Sequence, residues 1–472
     1  MLSRRDFLST ASAAVAFVAL PKAASAATTS VTLTPAPAAI PVVPGQPETN
    51  LWAYNGSLPG PLLRVKQHDR LQVALRNGLQ QDTTIHWHGI RLPNAMDGVP
   101  GLTQKPVQPG AQFNYDFTCQ DAGTFWYHPH AGNPEQVGRG LYGLLIVDEP
   151  NPPAVDRDVA WVLSDLRLDK AAQVTADFNH PMDVSHAGRL GNTALMNGRL
   201  AQPFAVNAGE RIRLRLVNTA NARIFDLRFS GHAPWLVALD GHPLDAPLHL
   251  GPQDRVAIGP GMRADLIVDM TGDAAARYTV FDRDAQGREH RLTDLAYADT
   301  AAKASPVRPI PGLAANPVRE ADLKTAERLP LVLGGGMGVP YALQVDGGPV
   351  LDMRQAFQQH RMAWSLNGQA QSHSGKDHAD HVGHSPLFRL KRGKSYVFEV
   401  SNDTSWPHPL HLHGHVFRVL TQPGRPWRDT VLLQPQEKAQ LALVADNPGH
   451  WMLHCHILEH QAAGMMATVS VS

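Results

Sequence analysis

The chain has 472 residues, more than one ordinary core organises, so two or three domains are expected. Its 42 basic residues are matched by 42 acidic ones, and no basic run is interleaved with aromatics, which argues against a nucleic-acid partner. Histidine is the outlier, with 24 residues that are clustered rather than scattered.

In chain order, the first segment reads as a leader. Ser3-Arg4-Arg5-Asp6-Phe7-Leu8 carries a twin arginine, residues 11–20 form a short apolar core, and Ala24-Ser25-Ala26 offers a small-residue cleavage site. The apolar run is too short to span a bilayer. These features predict a twin-arginine signal over 1–26, use of the Tat export machinery and a periplasmic product with no membrane span in its mature form.

The block 27–150 reads as short β segments broken by Gly and Pro. Leu71 to Asn77 alternates with period two, and Phe113 to Phe117 does so again. Pro150, Pro152 and Pro153 punctuate a boundary. In the block 151–300, Arg211-Ile212-Arg213-Leu214-Arg215-Leu216-Val217 has the pattern of a half-buried strand. Its histidines (His180, His186, His232, His242, His249 and His290) form no His-x-His pair, so this block reads as a structural spacer. Residues 301–330 are rich in Ala and Pro and read as a linker. Gly334-Gly335-Gly336-Met337-Gly338 lacks the Lys-Ser/Thr ending of a phosphate loop and reads as a flexible turn into a third block, 331–472. There Tyr396 to Val400 alternates once more, and a polar loop carries His373, His378, His381 and His384. No strong helical pattern appears after the leader. The chain reads as all-β, three sandwich domains.

There are two cysteines, Cys119 and Cys455. In an exported protein the plain reading is one disulfide. Cys455, however, stands in His454-Cys455-His456, followed by His460 and Met465, and a Cys with two His and a distant Met is the donor set of a blue-copper site. Cys119, in Phe117-Thr118-Cys119-Gln120, reads as a small buried residue.

Four His-x-His pairs occur: His86-Trp87-His88, His128-Pro129-His130, His411-Leu412-His413 and His454-Cys455-His456. On a strand, period two puts both imidazoles of a pair on one face, a two-pronged metal grip. One pair alone is a weak signal, whereas four in two separate blocks are not coincidence. Eight imidazoles suit roughly three coppers at two to three nitrogens per ion. His408, just before the third pair, completes the site around Cys455.

On these four motifs, in their order and spacing, the chain resembles the multicopper oxidases of the three-domain laccase and cuprous-oxidase type over its whole mature length. The resemblance implies three cupredoxin-like Greek-key β-barrel domains and four copper ions. It assigns a type 1 copper to His408, Cys455 and His460 with Met465 axial, and a type 2 copper to His86 and His411. A type 3 pair falls to His88, His128, His130, His413, His454 and His456. Electrons are expected to pass through Cys455 to His454 and His456, and dioxygen to be reduced to water. Asp97 matches the acid that the family places after the first His pair and is assigned to proton delivery, although Asp97-Gly98 also reads as a plain turn. Gln461 stands where many bacterial relatives carry Glu, which leaves a second proton route in doubt.

Two donors compete. A laccase-like oxidase would take phenols and aromatic amines. A cuprous oxidase would take Cu(I), and the His-rich loop lies where such enzymes insert a Met-rich segment. Those enzymes place an acid and a Met before the type 1 His, whereas this chain has Thr404-Ser405-Trp406-Pro407, with only Asp403 nearby. The laccase-like reading is therefore preferred. A copper-free structural member of the fold, or a two-domain nitrite reductase, would lack several of these ligands. A monomer is expected.

Overall fold

The computed structural model describes residues 26–299, 309–310, 312–337, 341–371 and 385–472. The twin-arginine leader, apart from Ala26, and the His-rich loop 372–384 lie outside the described residues.

The regular structure is mostly strand, as expected, arranged largely as sheets packed in pairs. The first block holds a three-stranded sheet of Thr28–Leu33, Arg70–Arg76 and Gln112–Thr118, and a four-stranded sheet of Gly60–Lys66, Gly143–Asp148, Gly123–His128 and His86–His88. Between them lies an apolar core containing Leu71, Val73, Trp87, Tyr115, Phe117 and Cys119. The alternation in Arg70–Arg76 buries Leu71, Val73 and Leu75 and leaves the intervening side chains more exposed, which is what a sheet with one solvated face requires. The middle block pairs a seven-stranded with a five-stranded sheet, and the third pairs a nine-stranded with a five-stranded one. In each block a sequence-remote strand joins in parallel, for example Thr28–Leu33 on Arg70–Arg76, Arg157–Leu166 on Arg211–Asn218 and Glu327–Gly335 on Ser395–Asn402. Such crossovers wrap the sheets around a core rather than laying out a simple meander.

Three expectations need correction. The strand Arg211–Asn218 is buried on both faces, not half-buried. Its polar face is covered jointly by the first block and by neighbouring strands: Arg213 pairs with Glu149 of the first block and with Asp265 beside it, and Arg215 pairs with Asp158 while donating to Thr124 Oγ1 of the first block. Paired and hydrogen-bonded, these guanidiniums are tolerated where a lone buried charge would not be. Second, Gly334 and Gly335 close the strand Glu327–Gly335 instead of forming a turn ahead of the block. A Cβ at Gly335 would fall against the Ala363 carbonyl, so close strand packing explains that glycine. Third, Met353–His360 is a helix, opened by a capping box in which Asp352 accepts from Gln355 N at 2.8 Å. Cys119 and Cys455 are both free and buried, in different cores, so the disulfide reading fails.

Candidate metal centre

Strand alternation creates two sites back to back. In the third block His408–Leu412 runs antiparallel to Gly449–Cys455, with His411 opposite His454 and Leu410 opposite Cys455. Even-numbered positions of the first strand share the face of Cys455, and odd-numbered positions share the face of His454. His408 therefore turns toward Cys455, with Nδ1 3.4 Å from its sulfur, while His411 and His413 turn the other way. In the first block His86 sits opposite His128 across the pair His86–His88 and Gly123–His128. The two blocks meet on these faces: His86 stacks on His413 and His88 on His411, with ring centroids 3.8 Å apart in both cases.

Ligating atoms converge to within 4.8 Å in five buried groups: His86, His411 and His413; His86, His88 and His128; His130, His413 and His454; His88, His411 and Asp429; and, separately, His408, Cys455 and His460. All the sequence-predicted imidazoles except His456 fall in these groups, and the His456 ring lies 4.8 Å from that of His88 and 5.3 Å from that of His128. Met465 shares the core of Cys455, whose N–H donates to the Met465 carbonyl at 3.0 Å.

Hydrogen bonds fix which nitrogen faces inward. Nδ1 of His86, His128 and His411 lies 2.8–2.9 Å from the carbonyls of Asp97, Pro129 and Asp429, respectively. A carbonyl only accepts, so these nitrogens carry the hydrogen and each Nε2 presents a lone pair, buried without a partner. His454 Nδ1 likewise donates to the Cys455 carbonyl, and its Nε2 faces His413 Nε2 at 3.0 Å. His460 Nε2 donates to the His186 carbonyl at 2.6 Å, which leaves its Nδ1 3.1 Å from His408 Nδ1. Lone pairs aimed at one another in a buried interior repel unless a cation lies among them. The donor set, imidazoles with one thiol and a nearby thioether, suits copper.

Burial, followed by neighbouring imidazoles, holds His88, His130, His413, His454 and His456 well below the ordinary histidine range, which is the neutral form a metal needs. Burial also pushes the Cys455 thiol up, so its ligating thiolate requires a compensating cation. Burial holds His460 at about 3 and both His242 and His415 at about 4. The unfolded chain binds these protons near 6.5 and the folded chain does not. Copper-free protein therefore keeps this stability above 6.5 and loses it as pH falls through 6.5 toward 3–4, by at most about 3 kcal/mol for each of His242 and His415. The urea midpoint of stripped protein should drop steeply between pH 7 and pH 5; a flat midpoint would contradict these buried neutral imidazoles.

Asp97 is buried, with Oδ2 2.8 Å from His413 Nδ1 and Oδ1 3.3 Å from His86 Nδ1. It thus stands behind one imidazole from each terminal block. Sequence reasoning missed two other acids. Asp429 is fully buried, 3.2 Å from His88 Nε2. Burial works to raise its pKa, but the Arg263 guanidinium overrides this and holds it well below the usual carboxylate range. Glu459 lies between His456 and His460 in sequence and accepts from Arg189 N and Asn221 Nδ2, each at 3.0 Å, while burial pushes its carboxyl up. Neither stood out in the sequence, where Asp429 follows Arg428 and Glu459 sits among the predicted ligands. The middle block, read as a spacer, also reaches both sites, through Arg263 on one side and the His186 carbonyl on the other.

Models of the multicopper oxidase family match residues 39–152, 159–302 and 348–472. The multicopper oxidase MmcO of Mycobacterium tuberculosis is 32% identical, over 97% of this chain and 91% of its own length. The chain belongs to the multicopper oxidase family. It is an oxidoreductase of three cupredoxin-like domains, and the family implies copper binding. Among solved structures, a multicopper oxidase from Pseudomonas thermotolerans superposes on this multicopper oxidase with a TM-score of 0.80 and 38% identity, covering 95% of this chain and all of the other. Copper resistance protein A of Escherichia coli is 26% identical, over 96% of this chain and 94% of its own length. No helix among the described residues of the oxidase is long and apolar enough to cross a membrane.

Proposed function

We propose that the protein is an exported, periplasmic laccase-like oxidase of phenols and aromatic amines that reduces dioxygen to water. In this reading it holds four coppers: a type 1 ion at His408, Cys455, His460 and Met465, a type 2 ion at His86 and His411, and a type 3 pair at the remaining six imidazoles. Domains of about 27–150 and 331–472 supply these ligands, and 151–300 lies between them. Bound copper supplies one-electron redox chemistry, which matches single-electron donors to a four-electron acceptor. The chain's own residues do the rest. Cys455 is joined through the backbone to His454 and His456, so the two sites share a covalent connection. Asp97 holds its two imidazoles and stands where a carboxyl can hand on a proton.

The observation that carries the reading is the set of inward-facing lone pairs on His86, His128, His411, His413 and His454, contributed by both ends of the chain around one buried space. Wild-type protein loaded with copper should bind about four ions per chain, at the two to three nitrogens each that such sites use, and show a blue band. Colourless, metal-free protein after reconstitution would end the proposal.

Cuprous oxidation for copper tolerance is the second reading, supported by the similarity to copper resistance protein A. Turnover of a phenol and of Cu(I) should be compared before and after deletion of residues 372–385. Phenol turnover is expected to survive. Efficient Cu(I) turnover that alone disappears on deletion would reverse the order of the two donors.

A further inference from the structure

The histidines around the shared cluster come from the first and third blocks, yet one group that ties them together comes from the middle one. Arg263 opens the strand Arg263–Asp269, with Val217 as its neighbour on Arg211–Asn218. It is fully buried. Its Nη1 and Nη2 lie 2.8 and 2.5 Å from the two carboxylate oxygens of Asp429, Nε donates to the Thr124 carbonyl at 3.0 Å, and its backbone N–H donates to Asp240 Oδ1 at 2.8 Å. Every direction of this side chain is therefore constrained by the first, second or third block. A bidentate arginine–carboxylate pair sets orientation as well as charge.

Asp429 passes that constraint on. Its Oδ1 lies 3.2 Å from His88 Nε2 and accepts from Thr430 Oγ1 at 2.8 Å, while its backbone carbonyl accepts from His411 Nδ1 at 2.8 Å. His88 and His411 are the two rings stacked at 3.8 Å. Two glycines show how tightly the assembly is built around this pair. A Cβ on Gly89, which follows His88 directly, would strike both the Arg263 guanidinium and the Asp429 carboxylate. A Cβ on Gly261, two residues before Arg263, would lie 2.8 Å from His456 Cδ2 and 3.0 Å from His88 Cε1. The middle block thus enters the cluster wall as a close-fitting wedge.

We infer that Arg263 is a positioning residue for the cluster coppers at His88 and His411, holding Asp429 so that its carboxylate, 3.2 Å from His88 Nε2 and 3.5 Å from His411 Nδ1, orients both rings from behind. The inference rests on the copper assignment proposed above. It means that the cluster is loaded correctly only when the middle domain is docked against the other two.

The test uses full-length wild type, Arg263→Lys, Arg263→Met and Asp429→Asn, each loaded with Cu(II) and freed of excess metal. Total copper, the blue band and the paramagnetic signal of non-blue copper are measured on each. Arg263→Met and Asp429→Asn should lose at least one copper equivalent from the cluster, or hold it about 10–100-fold more weakly against a chelator, with the blue band unchanged. Arg263→Lys should keep that copper but with altered hyperfine splitting, because a point charge cannot reproduce the bidentate fork. Full copper with an unaltered non-blue signal in Arg263→Met would overturn the inference. So would parallel loss of all copper and of the blue band in both Arg263 variants, the mark of a strut that only holds the fold. Should Arg263→Met fail to fold, Arg263→Lys and Asp429→Asn separate the same two outcomes. Wild type that binds no copper would instead refute the functional proposal itself.

Discussion

Cys455→Ser should remove the blue band and lower oxidase turnover by about 10³-fold or more, the scale on which loss of one member of an interdependent set registers. The substitution is nearly isosteric, and Cys455 is fully buried in the third-block core, so the fold should survive. What disappears is the one soft sulfur that lies 3.4 Å from His408 Nδ1 and 3.8 Å from His460 Nδ1. The neighbouring residues His454 and His456 keep their faces, so the copper at the other site should remain. The measurement is total copper and visible absorption beside steady-state oxygen consumption. A serine variant that stays blue, or that consumes oxygen at the wild-type rate, would show that electrons do not enter through Cys455.

Asp97→Asn should lower turnover by about 10²-fold while leaving the blue band intact, within the range expected when a positioned proton donor is lost. Asparagine fills the same space and can still accept from His413 Nδ1, where Asp97 Oδ2 now lies at 2.8 Å. It cannot carry the exchangeable carboxyl proton. The loss should therefore appear in the pH profile and in the solvent isotope effect on oxygen consumption, and copper content should be unchanged. Asp97→Ala should additionally weaken copper at His86 and His413, since both rings lose the carboxylate behind them. An asparagine variant with wild-type turnover across the mildly acidic range would leave Asp97 as a turn residue only. Gln461 follows His460 on the short helix Leu458–Ala462 and brings no acid there; the acid on that helix is Glu459.

Much of the site was legible because its logic is local. A two-residue period dictates that His454 and His456 share a face and that Cys455 takes the other, and no tertiary information is needed to see it. The same period identified the strands Arg70–Arg76, Gln112–Thr118 and Ser395–Asn402. It misjudged Arg211–Asn218, because alternating Arg reads as a solvated face until Glu149 and Asp265 are found covering it.

By itself the sequence pointed to the all-β class and to the four histidine pairs, since alternation and pairing are read from residues adjacent along one strand. Only the tertiary structure decided that His86 would stack on His413 and His88 on His411, residues more than three hundred positions apart. It alone brought Arg263 of the middle block onto Asp429 of the third, behind a histidine of the first. The reason is physical. A buried carboxylate and a buried guanidinium are each unfavourable alone and acceptable together, and which acid meets which base depends on how separate sheets pack.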